Sequence, residues 1–272
     1  MTKNLDSIGL KSIVDQYDLF FIDLWGVIHN GIEIHQDSIN VLEKLLKINK
    51  EFVLLTNAPR PNSNVADFLN RMGLEEKFFT KVYTSGEAAL DYLKTNFKNK
   101  NFFHIGPERD FGLFNTFIKN KIEKINEAEY LLCTGLFDEH DEELSFYKNF
   151  LKKSVDKTMI CTNPDLVVDR GNNRELCAGS VAKIFEEIGG KVQYFGKPYP
   201  NVYNQATNLK NKKVLCIGDN LNTDIKGANS LNFDSLLITN GIHKEEIKKS
   251  NIENIFEKYN VKANYSQTNL KW

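Results

Sequence analysis

Near the start of the chain an apolar run, Leu19-Phe20-Phe21-Ile22, ends abruptly on Asp23. A short apolar run bounded by turn signals reads as a buried strand. A carboxylate at its tip is expensive unless something pairs with it. Gly26 lets the backbone turn sharply just beyond. In open parallel sheets ligands sit past the carboxyl ends of the strands, so Asp23 stands where chemistry would be placed. Three later runs end in the same manner. Phe52–Leu55 ends on Thr56-Asn57, Val192–Phe195 on Gly196-Lys197-Pro198, and Val214–Ile217 on Gly218-Asp219, with Asp224 five residues further. Singly, each has an ordinary reading: a helix cap, a surface lysine, a turn acid. Together, in this order and each at a strand tip, they read as one chemical site.

The pieces Asp23-Leu24-Trp25-Gly26-Val27, Leu55-Thr56-Asn57, Gly196-Lys197-Pro198 and Gly218-Asp219-Asn220-Leu221-Asn222-Thr223-Asp224-Ile225 resemble the four motifs of haloacid-dehalogenase (HAD) superfamily phosphatases, class IIA or NagD-like group. Thr162-Asn163-Pro164-Asp165 resembles a piece of their cap, so the likeness spans nearly the whole chain. It implies a Rossmann-like parallel-sheet α/β core with an inserted α/β C2-type cap domain. It implies a Mg²⁺-dependent phosphatase of a small phosphorylated metabolite. Asp23 would be the nucleophile, passing through an aspartyl-phosphate. Asp23 and Asp219 would bind Mg²⁺ directly, Trp25 through its backbone carbonyl, and Asp224 directly or through water. The Thr56 hydroxyl and the Asn57 backbone N–H would hold phosphate oxygens. Lys197 would balance the charge of Asp23 and phosphate. Related caps often pair, which suggests a homodimer through the cap.

One position departs from the pattern. Most phosphatases of this family carry a second aspartate two residues after the first, which protonates the leaving oxygen; here that position is Trp25. An indole N–H donates only and exchanges no proton near neutral pH. General acid–base catalysis contributes about 10²–10⁴-fold, against rate enhancements of up to ~10²¹ for phosphate-monoester hydrolysis. The expectation is therefore a weak phosphatase, or one restricted to good leaving groups. His29 is the nearest substitute donor by sequence, although a local hydrogen bond explains a loop histidine as well. The alternatives are a catalytically impaired phosphate-ester and metal-binding protein, or a phosphotransferase on the same scaffold. Arg60, Asn163 and Asp165 are further polar groups at strand ends and candidates to face the pocket; for Arg60 a structural salt bridge explains the residue equally.

Strands must alternate with helices to place these tips together. Helical patterns are expected at 5–16, 37–47, 64–72, 88–93, 142–152, 180–188, 202–209 and 224–230. Apolar strands are expected around 19–22, 52–57, 102–105, 130–133, 159–161, 192–195, 214–217 and 235–238. Counting units assigns 1–85 and 179–272 to the core and 86–178 to the inserted cap. The tail from His243 reads as a surface helix and a loose terminus. Three runs end in Thr-Asn, at 56–57, 162–163 and 239–240, where short polar side chains satisfy a turning backbone.

The chain has 272 residues, 41% hydrophobic and 26% charged, with a net charge of −1. That balance lacks the basic footprint of a nucleic-acid binder. No window approaches the roughly 18 apolar residues of a membrane span. Cys133, Cys161, Cys177 and Cys216 form no CxxC pair and read as reduced structural thiols, which suggests a cytoplasmic protein.

Overall fold

Leu19–Ile22 buries all four side chains, as an apolar run with no polar face must. In the computed structural model, which describes residues 2–171 and 173–272, it is one of thirteen strands among the described residues. In chain order these are β1 (Lys3–Asn4), β2 (Leu19–Ile22), β3 (Glu51–Thr56), β4 (Val82–Thr84), β5 (Phe102–Ile105), β6 (Tyr130–Cys133), β7 (Thr158–Cys161), β8 (Val167–Arg170), β9 (Asn173–Leu176), β10 (Lys191–Tyr194), β11 (Val214–Gly218), β12 (Asp234–Ile238) and β13 (Tyr265–Gln267). A seven-stranded sheet runs β1-β13-β12-β11-β2-β3-β4, and a four-stranded sheet runs β10-β7-β6-β5. Every pairing in both sheets is parallel, whereas β8 and β9 form a separate antiparallel hairpin.

Because β2, β3 and β11 are parallel and in near register, their carboxyl ends share one rim. Asp23, Thr56 and Asp219 therefore emerge side by side. One face of the large sheet packs Phe20, Ile22, Leu54, Leu215 and Ile217 against helices Gln36–Lys47 and Asn62–Arg71. The other face, with Phe21, Leu55 and Cys216, shares a core with Phe102, Leu132 and Ile160 of the small sheet. The outer face of the small sheet is closed by Tyr147, Leu151, Val181 and Phe185.

Several expectations need correction. β10 joins the small sheet, pairing with β7 from Lys191↔Thr158 to Tyr194↔Cys161, and helix Ala178–Glu187 packs beside it. The small sheet's segment thus continues past residue 178, where the core had been expected to resume. The reason is that a short, partly apolar strand looks alike in either sheet, and only its long-range partner decides the matter. The expected helix over 5–16 is two single turns, Leu10–Ser12 and Val14–Gln16. Gly9, at φ +67°, breaks any continuous helix there. The tail is not loose: it forms helices Lys244–Lys249 and Ile252–Tyr259 and then β13, which lies between β1 and β12.

Candidate active site

The functional side chains come from both sheets. Asp23 follows β2 and Asp219 follows β11. Past β11 the chain makes a wide turn in which the Ile225 N–H reaches the Asn220 carbonyl at 3.2 Å. That turn swings Asp224 back to the strand end. Asp23, Asp219 and Asp224 are only 8%, 6% and 3% exposed. One carboxylate oxygen from each lies within 4.8 Å of the others. Lys197 arrives from the carboxyl end of β10, so the two sheets point their carboxyl ends at one cleft. Its ammonium donates to Asp23 Oδ1 at 2.5 Å, to Asp224 Oδ1 at 2.7 Å and to the Leu55 carbonyl at 2.8 Å.

Neighbouring groups hold this cluster rigid. The Asn57 amide brackets the backbone of Lys197: Oδ1 accepts its N–H at 2.7 Å and Nδ2 donates to its carbonyl at 3.0 Å. Asp219 Oδ2 accepts the Ile242 N–H at 2.8 Å, and Asp224 Oδ2 the Asn220 N–H at 3.1 Å. A β-carbon at Gly26 or Gly241 would collide with the Asp219 carboxylate, so the backbone is cut away around that group. Thr56 is buried at the tip of β3, where its hydroxyl accepts the Ala58 N–H at 3.2 Å. Asp23, Trp25, Thr56, Asn57, Lys197, Asp219 and Asp224 all line one cavity of about 250 Å³. The sequence-expected residues are thus brought together.

The electrostatics follow from burial. Burial raises Asp23, with Lys197 opposing, and burial followed by the repulsion of Asp23 and Asp224 raises Asp219 well above the usual carboxylate range. Burial alone would lower the Lys197 ammonium, but Asp224 and Asp23 beside it push it above the ordinary lysine range. When ionised, three carboxylates against one ammonium leave an excess of two negative charges. A hard divalent cation with oxygen ligands matches that excess and that donor set. Asp23, Asp219 and Asp224 are the residues that could hold it.

Other candidates separate cleanly. Asp165 lines the cavity, accepts from Asn220 Nδ2 at 3.3 Å, and is pushed up to about 6, chiefly by burial. Asn163 does not reach out: its Oδ1 accepts the Asp165 N–H at 3.0 Å. Arg60 pairs with Asp110 at 2.7 Å, which is the structural role. His29 is buried, its ring lowered to about 4 by burial, and Nδ1 accepts the Gly31 N–H at 3.0 Å. It carries no spare proton at neutral pH, so the local hydrogen bond accounts for it. The Trp25 indole N–H donates to the Asp169 carbonyl of the β8–β9 hairpin at 2.6 Å.

Sequence reasoning missed that hairpin, although Val167, Val168, Asp169 and Gly171 line the cavity. A partial signal existed: Gly171-Asn172 is a two-residue hairpin turn sequence, although of its flanks only Val167-Val168 is strand-like. Asn240, Ile242 and Asn269, which also line the cavity, were missed as site residues as well. Asn240 ends the apolar run of β12 in the same Thr-Asn pattern as Asn57, whereas Ile242 and Asn269 come from loops with no local signature.

A family model of haloacid dehalogenase-like hydrolases matches residues 20–115, and a second, HAD-hydrolase-like model matches residues 194–260. A 4-nitrophenylphosphatase of Schizosaccharomyces pombe is 26% identical over 279 residues, spanning 90% of this chain and 92% of that protein. An acid sugar phosphatase of Staphylococcus saprophyticus is 24% identical, over 87% of this chain and 92% of that protein. The crystal structure of a haloacid dehalogenase-like hydrolase from Brucella suis superposes with a TM-score of 0.83 at 29% identity, covering 96% of this chain and 98% of that one. The chain belongs to the haloacid dehalogenase-like hydrolases, in their NagD-like, class IIA group. Among the described residues no helix is long and apolar enough to cross a membrane.

Proposed function

We propose that the protein is a Mg²⁺-dependent phosphatase of a small phosphorylated metabolite, acting in the cytoplasm. The observation that carries this reading is the Lys197 ammonium seated between Asp23 and Asp224 with Asp219 beside them, at the meeting of two strand rims. A purely structural ion pair has no need of three buried acids around one lysine.

In this reading an Asp23 carboxylate oxygen attacks phosphorus and the bond from phosphorus to the ester oxygen breaks, leaving an aspartyl-phosphate. Water then cleaves that acyl phosphate and frees Asp23 and inorganic phosphate. Lys197 neutralises charge on Asp23 and on the incoming phosphate, so that anion and nucleophile can approach. The Thr56 hydroxyl and the Asn57 N–H hold phosphate oxygens at the tip of β3. Asp23, Asp219 and Asp224, with the Trp25 carbonyl, would hold Mg²⁺, which supplies neutralisation of the transferring phosphoryl group. Asp165, from the cap side of the cavity, is the carboxyl group placed to face a leaving group. The domain division belongs to the same reading: a core sheet carrying the acids and a cap carrying the leaving-group wall, with dimerisation through the cap checked by light scattering.

The test is turnover of p-nitrophenyl phosphate, acetyl phosphate and a panel of sugar and nucleotide phosphates with Mg²⁺, beside Asp23→Asn. Turnover that disappears in the variant supports hydrolysis through Asp23. A second reading, a phosphate-ester and metal-binding protein with little turnover, is favoured by one observation. The indole N–H at the usual acid position is committed to a backbone carbonyl. Binding of phosphate esters without turnover in either protein would decide for it.

A further inference from the structure

The β8–β9 hairpin belongs to neither large sheet, and none of its strand residues is fully buried. A two-stranded hairpin alone is marginally stable in water. Its place over the carboxylate cluster must therefore come from a few contacts with the elements below. Trp25 makes two of them. Its Nε1 donates to the Asp169 carbonyl at 2.6 Å, and the Arg170 guanidinium carbon lies 5.0 Å from its ring centroid. Further contacts among the described residues are the Gly171 N–H to the Asn30 carbonyl at 3.2 Å, Arg174 Nη2 to the Ile242 carbonyl at 3.0 Å, and Leu176 packed against the outer core of the small sheet.

The indole is itself held. The His29 ring stands edge-on to it at 5.1 Å, and Gly31 is so close that a β-carbon there would strike the six-membered ring. Buried His29 is thus the back wall of a slot that aims the indole at the hairpin. Position 25 is also two residues from the nucleophile of the proposed reaction, so any movement of the hairpin is felt at the cleft. The cavity that the hairpin borders is about 250 Å³ and is also lined by Asn240, Ile242 and Asn269. Pockets that take drug-sized ligands measure roughly 300–1,000 Å³.

We infer that Trp25 is a positioning residue: it pins the β8–β9 hairpin over the cleft and so restricts the leaving group to a compact, polar one. Phosphates of small polyols, short sugars and acyl groups fit that description, whereas a nucleoside requires the hairpin to lift. The restriction on the leaving group rests on the phosphatase reading. The pinning does not.

Hydrogen–deuterium exchange of residues 167–176 tests the pinning, and kcat/KM for glycerol phosphate against a nucleoside monophosphate tests the restriction. Both are measured on wild type, Trp25→Phe and Trp25→Ala, with circular dichroism to establish folding. One ordinary hydrogen bond and one cation–π contact each correspond to roughly 2- to 10-fold in an open-to-closed ratio. Trp25→Phe, which keeps a ring under Arg170 but loses the donor, should speed hairpin exchange a few-fold; Trp25→Ala should speed it more. The preference for the compact substrate should fall in the same order. Hairpin exchange unchanged in a folded Trp25→Ala overturns the pinning even if wild type turns over phosphates. Faster exchange in a protein that hydrolyses no phosphate supports the pinning while overturning the phosphatase reading and the restriction built on it.

Discussion

The Lys197 ammonium stands 2.5 Å from Oδ1 of Asp23, although the two residues come from different sheets and lie 174 positions apart. The pair joins the small sheet's rim to the large sheet's rim, so its role is both electrostatic and architectural. Removing one partner of a buried ion pair typically costs about 3–5 kcal/mol, because the other charge is left uncompensated. Here the loss is sharper in kind, since Lys197 is the cation that three buried acids share. Lys197→Met is expected to abolish phosphatase turnover and to lower metal-free unfolding stability by roughly that amount. Urea denaturation in EDTA reads the second effect. Wild-type stability in the variant would show that the acids are solvated or protonated and do not depend on the lysine.

A cation should offset what Lys197 alone leaves unbalanced. Ligand binding to the folded state adds about 2.7 kcal/mol at a concentration of 100 Kd. Mg²⁺ is therefore expected to raise the melting temperature, and EDTA to reverse it. Asp219→Asn removes one of the three oxygens that lie within 4.8 Å of each other, and should blunt that rise together with activity. A melting temperature indifferent to Mg²⁺ in wild type would speak against a cation site at this cluster.

Much of this site was legible in the chain because its signals are local. An apolar run stopped by an acid, or by Gly-Lys, marks a strand tip whatever surrounds it. Parallel topology then collects the tips of β2, β3 and β11 at one rim without further instruction. What was not legible depended on distant partners. β10 carries the right lysine but pairs with β7, and nothing in Lys191–Tyr194 says so. β13 is polar, yet it enters the core sheet because buried Gln267 ties Leu5 and Lys271 through its amide. The hairpin was overlooked because its four-residue strands are half-exposed and lack clean alternation. Its Asp169 carbonyl is held by the Trp25 indole, a residue read from the sequence as a missing acid and a backbone metal ligand, with no side-chain partner in view.

That reading of Trp25 has its own test. Replacing the indole by a carboxylate supplies a proton donor, but it also opens the slot beneath the hairpin. Trp25→Asn opens the same space with no acid. Comparison of Trp25→Asp with Trp25→Asn on an alkyl phosphate isolates the proton. The aspartate variant is expected to be at least ~10-fold faster, within the usual 10²–10⁴-fold range of general acid–base catalysis or just below it. Equal rates would mean that another group, with Asp165 foremost, already protonates the leaving oxygen.

One part of the acid sensitivity lies away from the site, in histidines buried without charge. His104 on β5 is enclosed by Phe111 and Phe114, and its Nε2 shares a 2.8 Å hydrogen bond with Thr134 Oγ1. Burial, with Lys121 adding to it, lowers this ring from 6.5 to about 3. The unfolded chain therefore takes up a proton below pH 6.5 that the folded protein refuses until near pH 3. Stability is full above 6.5 and falls as the pH drops through that window. Between pH 7 and pH 5 this one residue should remove about 2 kcal/mol. His104→Gln keeps a polar group within reach of Thr134 but cannot titrate. The variant is expected to start less stable at pH 7, and its loss between pH 7 and pH 5 should be smaller than the wild type's by about 2 kcal/mol. Urea denaturation at the two pH values measures both. Identical losses in the two proteins would show that His104 accepts its proton in the folded state, and that the acid sensitivity arises elsewhere, with buried His29 next in line.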